Sequence, residues 1–295
     1  MSGKEEVRKG KSGQKPARLD KLLSREGLGT RSEVRRMVRA GRVLVDGAPE
    51  KDPGRQVTEE AEILFDGARV RQAEHVYYML NKPAGVITAT QDDRHRTVMD
   101  LLQTPEDGSA PVLRRGLSPV GRLDRDTEGL LLITDDGQLA HRLLAPGRHV
   151  DKTYYALVTG HVTQDEIRLF AQGLAVDGEF TALPAILQVV GQKEEQEMLQ
   201  ALVPAEPERF LLPEVTEYTQ TFVTIREGKF HQIKRMFAAL GKEVLYLKRL
   251  SMGSLTLDPS LRPGQFRGLT EEEIRGLDAK QQENSPPGRA RCGMR

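Results

Sequence analysis

Four bulky apolar residues in a row, Leu130-Leu131-Leu132-Ile133, stand between Gly129 and the turn sequence Asp135-Asp136-Gly137. An unbroken apolar run of this length, closed at both ends by turn residues, is the pattern of a buried strand. A buried strand commits the chain to a sheet with other layers packed on it. Immediately before it lies a highly charged loop, Gly121-Arg122-Leu123-Asp124-Arg125-Asp126-Thr127-Glu128-Gly129. Catalytic side chains concentrate on loops fixed by rigid elements, so this junction is the first place to look for chemistry. Asp124 follows Arg122 at two residues, and in an extended segment both side chains leave on the same side. Such a pairing keeps the carboxylate ionised, as a nucleophile requires.

The rest of the chain supplies the other elements. Arg18 to Glu26 reads as a short helix with Leu19, Leu22 and Leu23 inward. Thr30-Arg31-Ser32-Glu33 is a capping box, and the helix it opens carries Arg31, Arg35 and Arg39 as one basic stripe. Val43-Leu44-Val45-Asp46-Gly47 is a strand and turn. Further strands are expected over 76–80, 153–158, 185–190, 221–226, 244–247 and 255–257. Helices are expected after Thr163, ending at Gly173, and over 232–240. Strands outnumber helices without regular alternation, which predicts an α+β fold with a mixed, largely antiparallel sheet flanked by helices. The expected organisation is a disordered basic tail over 1–16, a small α/β unit over 17–63, and a linker over 64–74. A main domain over 75–275 and a disordered tail over 276–295 complete it.

Composition excludes several classes. Cys292 is the only cysteine, which rules out an internal disulfide and a cysteine-based metal site, and the six histidines lack ligand spacing. No apolar run approaches the roughly 20 residues that cross a bilayer. The polar, basic beginning lacks the apolar core of a signal peptide. These features predict a cytoplasmic protein with neither metal nor cofactor. The net charge of +1 conceals two basic clusters: eight basic against three acidic residues over Arg18–Arg42, and seven against two over Arg226–Arg249. Two basic clusters on a nearly neutral chain point to a polyanion touched in two places.

The acidic loop is open to several readings. Asp124-Arg125-Asp126-Thr127 approaches the D-x-D-x-T of phosphatases that form an aspartyl phosphate, with its threonine one residue early, but those carry the motif after an apolar strand, and here the strand follows it. Asp124, Asp126 and Glu128 echo a calcium loop, but the second half is leucine-rich and no capped helix pair flanks it. A lone nucleophilic aspartate and a purely structural turn complete the set.

Longer patterns separate these readings. Arg-Leu-Asp-Lys-Leu-Leu, Thr-Arg-Ser-Glu and Gly-Arg-Val-Leu-Val-Asp-Gly, in that order over residues 17–63, resemble the S4 RNA-binding domain. Gly-Arg-Leu-Asp-x-Asp-Thr-x-Gly-Leu-Leu-Leu-x-Thr-Asp-Asp-Gly resembles the signature of the RsuA family of pseudouridine synthases. So do Asn81-Lys-Pro-x-Gly85, Lys152-Thr153-Tyr154, Glu227–Met236 and Leu247–Gly253. The resemblance implies a nucleophile at Asp124, an active-site tyrosine at Tyr154, a basic partner of the aspartate at Lys234, and an arginine beside it at Arg122. It implies RNA contacts by Arg18, Lys21, Arg31, Arg35, Arg36, Arg39 and Arg42, with Asn81, Lys82, Arg235 and Arg249 in the second domain. The implied partner is ribosomal RNA, or a ribosomal subunit during assembly, and a monomer is the default expectation for a two-domain RNA enzyme. His231-Gln-Ile-Lys-Arg-Met-Phe and Thr134-Asp-Asp-Gly look closest to the small-subunit branch. Rival readings are a large-subunit enzyme with the same reaction and a noncatalytic ribosome-assembly factor.

The chemistry agrees with that resemblance. Turning uridine into pseudouridine breaks the C1′–N1 bond and rejoins C1′ to C5, which needs a carboxylate but no redox cofactor. Asp124 can add to C1′ or take a proton from C2′, and the sequence does not choose between the two. A base within folded RNA must leave its stack to react, at a cost of roughly a few kcal/mol. Arg122 is the candidate to fill the vacated space, with pairing to Asp124 as its competing role.

Overall fold

The structure, a computed structural model, describes residues 16–58, 61–70, 75–103, 115–178, 180–191, 202–203 and 217–283. Most of the two expected tails, residues 1–15 and 284–295 with Cys292, lies outside the described residues. The chain divides into two compact units, with the main division between Glu74 and His75.

In the first unit β1 (Ala17–Arg18) leads directly into α1 (Leu19–Arg25), followed by α2 (Arg31–Arg39). The helix α2 begins on the expected capping box, with Thr30 and Glu33 exchanging side-chain and backbone hydrogen bonds. Strands β2 (Val43–Val45), β3 (Ala48–Glu50), β4 (Gln56–Val57), β5 (Ile63–Phe65) and β6 (Ala68–Arg69) complete the unit. Four of them form a sheet in the order β3-β2-β5-β6, and β4 pairs with β1. The helices and sheet close on Leu19, Leu22, Leu23, Val34, Val38, Val43, Val45, Val57 and Ile63. Residues 64–69, expected as linker, thus belong to the sheet: Leu64 and Phe65 pair with β2, and β6 pairs with β5.

The second unit is built on a sheet of nine strands. In chain order these are β7 (Tyr77–Lys82), β8 (Ser118–Pro119), β9 (Glu128–Thr134) and β10 (Lys152–Thr159). A separate hairpin, β11 (Ala175–Val176) and β12 (Phe180–Thr181), precedes β13 (Ile186–Val189) and β14 (Tyr218–Ile225). The last are β15 (Val244–Met252), β16 (Leu255–Thr256) and β17 (Phe266–Gly268). The sheet follows the path β13-β14-β10-β15-β9-β7-β17, with β16 attached to β15 and β8 to β9. Every pairing in this sheet is antiparallel except β9 with β15, so it is mixed and largely antiparallel, as expected.

Alternate residues of the central strands enter opposite cores. Leu131, Ile133, Tyr154, Ala156 and Val158 face one layer, which includes α3 (Val98–Gln103), α5 (Gln164–Gln172) and α6 (Gln232–Ala238). Leu130, Leu132, Tyr155 and Leu157 face the other, which includes α4 (Gly137–Leu144) and Leu277 of α7 (Glu271–Glu283). Burial on both faces removes the need for polar alternation, which is why β9 reads as a solid apolar run. The helix α7 extends through residues expected to be tail. Thr270 starts it, accepting a hydrogen bond from the Glu273 amide while its own amide donates to the Glu273 carboxylate.

Candidate active site

The acidic loop approaches β9 as a sharply bent segment held at four points. The Leu123 side chain is buried, and both its amide and its carbonyl are bound by the Thr88 hydroxyl, at 3.2 and 2.8 Å. Gly85 and Arg125 exchange two further bonds, amide to carbonyl at 2.8 Å and Arg125 Nε to the Gly85 carbonyl at 3.1 Å. The Thr127 amide closes a turn on the Asp124 carbonyl. Lys82 is fully buried and donates from Nζ to the carbonyls of Pro83, Arg125 and Thr127 at 3.0, 3.3 and 2.9 Å. Burial pushes the Lys82 ammonium down to about 8, against the opposite pull of the Glu128, Asp126 and Asp124 carboxylates. Lys82 therefore pins the loop from beneath and does not face RNA as the sequence suggested. Asn81 is likewise buried, its Nδ2 donating to the Leu261 carbonyl at 2.7 Å.

At the far end of the loop Gly129 has φ 100°, and a Cβ there would sit 2.2 Å from the Arg249 carbonyl oxygen. Only glycine lets β9 and β15 come this close in parallel register, Glu128 beside Lys248 and Gly129 beside Arg249. That approach brings the second basic cluster against the acidic loop.

With Leu123 turned into the core, Arg122 and Asp124 both line a cavity of about 760 Å³. This is ample for one nucleoside. Tyr154, Lys152, Arg249, His231 and Phe230 contribute to the same wall, and Ile225, Ile233 and Leu247 line an adjoining pocket with Asp124 and Tyr154. Asp124 faces a histidine and a lysine, with His231 Nε2 3.6 Å from one oxygen and Lys234 Nζ 3.7 Å from the other. The expected ion pair with Arg122 does not form; Arg122 is exposed and makes no salt bridge with a described residue. Lys234 is nearer to Asp126, at 2.6 Å from both oxygens. Burial raises the Asp126 carboxyl, but the hydrogen bond and charge of Lys234 outweigh this and hold it below its ordinary value.

Tyr154 is 7% exposed and its hydroxyl makes no hydrogen bond to a described residue. Its neighbour Tyr155 points into the opposite core and donates from its hydroxyl to Gln220 Oε1 at 3.0 Å. Two adjacent tyrosines thus separate cleanly into one at the cavity and one in packing. Arg249, expected at phosphate, is 2% exposed, and its Nε donates to the Leu130 carbonyl at 2.7 Å. Arg235, the other residue expected at phosphate, is taken by Asp177 at 2.6 Å and lies over the Phe180 ring. Sequence reasoning overlooked Thr88, which carried no signal in Ile-Thr-Ala-Thr. It also gave no separate role to His231 or Lys152, although both stand inside the quoted motifs. Burial, followed by the nearby Arg249 charge, pushes Lys152 down to about 8.

In the first unit the basic residues divide. Arg18, Arg31 and Arg35 converge on the fully buried carboxylate of Asp20 at 3.1, 3.3 and 2.8 Å. Burial disfavours the ionised Asp20, yet the three guanidiniums reverse that and hold its carboxyl far below the usual range. Arg42 pairs with Asp66 and lies over the Phe65 ring. Lys21, Arg36 and Arg39 are exposed and make no salt bridge with a described residue. Among the described residues no cluster of acidic, histidine and cysteine side chains could hold a metal ion, and no helix is long and apolar enough to cross a membrane.

Comparison with known proteins identifies the family. Residues 17–63 match the S4 domain, and residues 76–239 match the RNA pseudouridylate synthase family. The chain is 43% identical to the uncharacterized RNA pseudouridine synthase YtzG of Bacillus subtilis (strain 168), over 90% of this chain and 99% of that protein. It is 38% identical to ribosomal small subunit pseudouridine synthase A of Yersinia pestis, over 89% and 98%. For the protein of that name from Escherichia coli (strain K12) the identity is 36%, over 87% and 98%. A crystal structure of a pseudouridylate synthase superposes with a TM-score of 0.54 at 33% identity, covering 88% of this chain and 99% of that one. An aspartate set between a histidine and a lysine at a nucleoside-sized cavity, with these relatives along nearly the whole chain, makes the protein a member of the RNA pseudouridylate synthase family that carries an S4 domain.

Proposed function

We propose that this protein converts one uridine of small-subunit ribosomal RNA to pseudouridine, with Asp124 as the group that starts the reaction. The observation that carries the reading is the setting of Asp124, facing His231 and Lys234 in a cavity that also holds Tyr154. The C1′–N1 bond breaks, C1′ joins C5, N1 gains a proton and C5 loses one, so the reaction is an isomerisation without net oxidation. Addition to C1′ and removal of the C2′ proton both begin at the same carboxylate. Lys234 and His231 stand beside that carboxylate, and the Tyr154 ring stacks on the uracil with its hydroxyl near the C5 proton. Arg122 enters the gap that the flipped base leaves in the RNA. Lys21, Arg36 and Arg39 meet the RNA backbone. The assigned substrate follows the small-subunit names of the relatives from Yersinia and Escherichia. The reading takes the cytoplasm as compartment, a monomer as working form, and RNA either bare or within an assembling subunit as partner.

The test is to map pseudouridine in both ribosomal RNAs from cells with and without the gene. One small-subunit position should lose its signal and recover it with the intact gene but not with Asp124→Ala, whose turnover falls roughly a thousandfold or more. Loss at a large-subunit position instead would replace the substrate. Full rescue by Asp124→Ala would remove Asp124 from the mechanism and favour a noncatalytic role in assembly.

A further inference from the structure

Phe230 is 71% exposed, more than any other large apolar side chain among the described residues. An aromatic ring held in water is unfavourable, so its position calls for a partner. The ring borders the cavity that contains Asp124, Arg122 and Tyr154. One of its faces lies on the imidazole of His231, with centroids 3.8 Å apart and planes 19° from parallel. His231 adopts φ 49° and ψ 31° as it starts α6, a left-handed conformation uncommon outside glycine. Its Nε2 meanwhile sits 3.6 Å from Asp124 Oδ1. The chain therefore builds a pile of two flat rings that runs outward from the carboxylate to solvent.

No ring or cation from a described residue covers the outer face of Phe230. Phe180 shows the contrast, with Lys229 Nζ 4.0 Å and the Arg235 guanidinium 4.7 Å from its ring centre. Around Phe230 the cavity rim carries Arg122, Arg125 and Lys229, a setting for a polyanion. Flat aromatic faces beside basic side chains are how single-stranded nucleic acid is held, because every base offers a π-face whatever its identity.

We infer that the outer face of Phe230 is a stacking platform for the base of an unpaired nucleotide next to the flipped uridine. The inference rests on the proposed function and adds to it a point of attachment outside the reacting nucleotide. The platform holds the strand at the cavity mouth, so its contribution belongs to RNA engagement and not to bond making.

The experiment compares wild type, Phe230→Ala and Phe230→Tyr on a ribosomal RNA fragment containing the target. It adds versions of the fragment with an abasic residue on either side of the target. Phe230→Ala should lower kcat/KM roughly tenfold, about 1.4 kcal/mol, mainly through KM, while Phe230→Tyr stays near wild type. One abasic substrate should cost wild type a similar factor and cost Phe230→Ala nothing more. Equal losses in both proteins on each abasic substrate, or an alanine variant within twofold of wild type on intact RNA, would overturn the platform while leaving the isomerase intact. A defect confined to protein-bearing ribosomal particles would assign Phe230 to a protein partner and overturn it too. Failure of wild type to modify any ribosomal RNA would remove the proposed function, and the platform with it.

Discussion

Arg122 and Asp124 leave the chain on the same side, yet they are not partners, and that separation gives each its own work. Asp124 is served by His231 and Lys234, and the exposed Arg122 guanidinium makes no salt bridge with a described residue, which suits the role proposed for it. Replacing Arg122 with Ala should therefore lower kcat by roughly tenfold or more while changing RNA affinity by less than about threefold, because base flipping costs a few kcal/mol that the side chain helps to offset. Single-turnover rates beside filter-binding constants measure the two effects, and equal losses in both would count against this role. Lys234 is shared between two carboxylates and lies closer to Asp126. The second aspartate of the loop thus keeps the ammonium at the edge of the cavity, where it acts on Asp124 through charge and not through a direct hydrogen bond.

At the scale of elements, the junction of β9 with β15 decides whether the site exists. Gly129→Ala would force a Cβ into the Arg249 backbone at a φ of 100°, so β15 must retreat. The cost should exceed ~3 kcal/mol, with Tm lowered and turnover abolished together, as thermal unfolding and activity assays would show. An unaltered Tm would mean that the close approach is dispensable. Much of this scaffold is legible in the sequence. The strand through Leu130–Ile133 and the helices capped by Thr30 and Thr163 announce themselves by apolar run and capping box. The motifs also single out Asp124, Tyr154 and Lys234, which the structure brings to the lining of one pocket. What is hidden depends on partners distant in sequence. The burial of Lys82 is invisible because two of its three acceptor carbonyls, those of Arg125 and Thr127, arrive only when the loop folds across β7. The arginines on Asp20 look like a free basic stripe until the carboxylate beneath them is seen. Helix α3 spans only Val98–Gln103, too short for its period to show, and β5 and β6 are brief strands broken by a turn at Asp66-Gly67.

For the whole molecule, the division of the basic residues matters more than the net charge. In the first unit three arginines are tied to Asp20 and one to Asp66, leaving Lys21, Arg36 and Arg39 as its unpaired cations among those expected to meet RNA. Changing both Arg36 and Arg39 to Gln should reduce the slope of log affinity against log salt by about 1.4, or 0.7 for each phosphate no longer neutralised, with kcat unaltered. Binding titrations between low and moderate salt would show this, and an unchanged slope would exclude that face from the RNA. The parallel pairing of β9 with β15, and the lysine that reaches back to the acidic loop, have one more consequence. Asp126 is made 108 residues before Lys234, which at ~5–20 residues per second is roughly 5–20 s of translation. For that interval a nascent chain displays its acidic hook without the cations that tame it. A product that terminates early, short of β15, can keep every residue of the hook and still be inert.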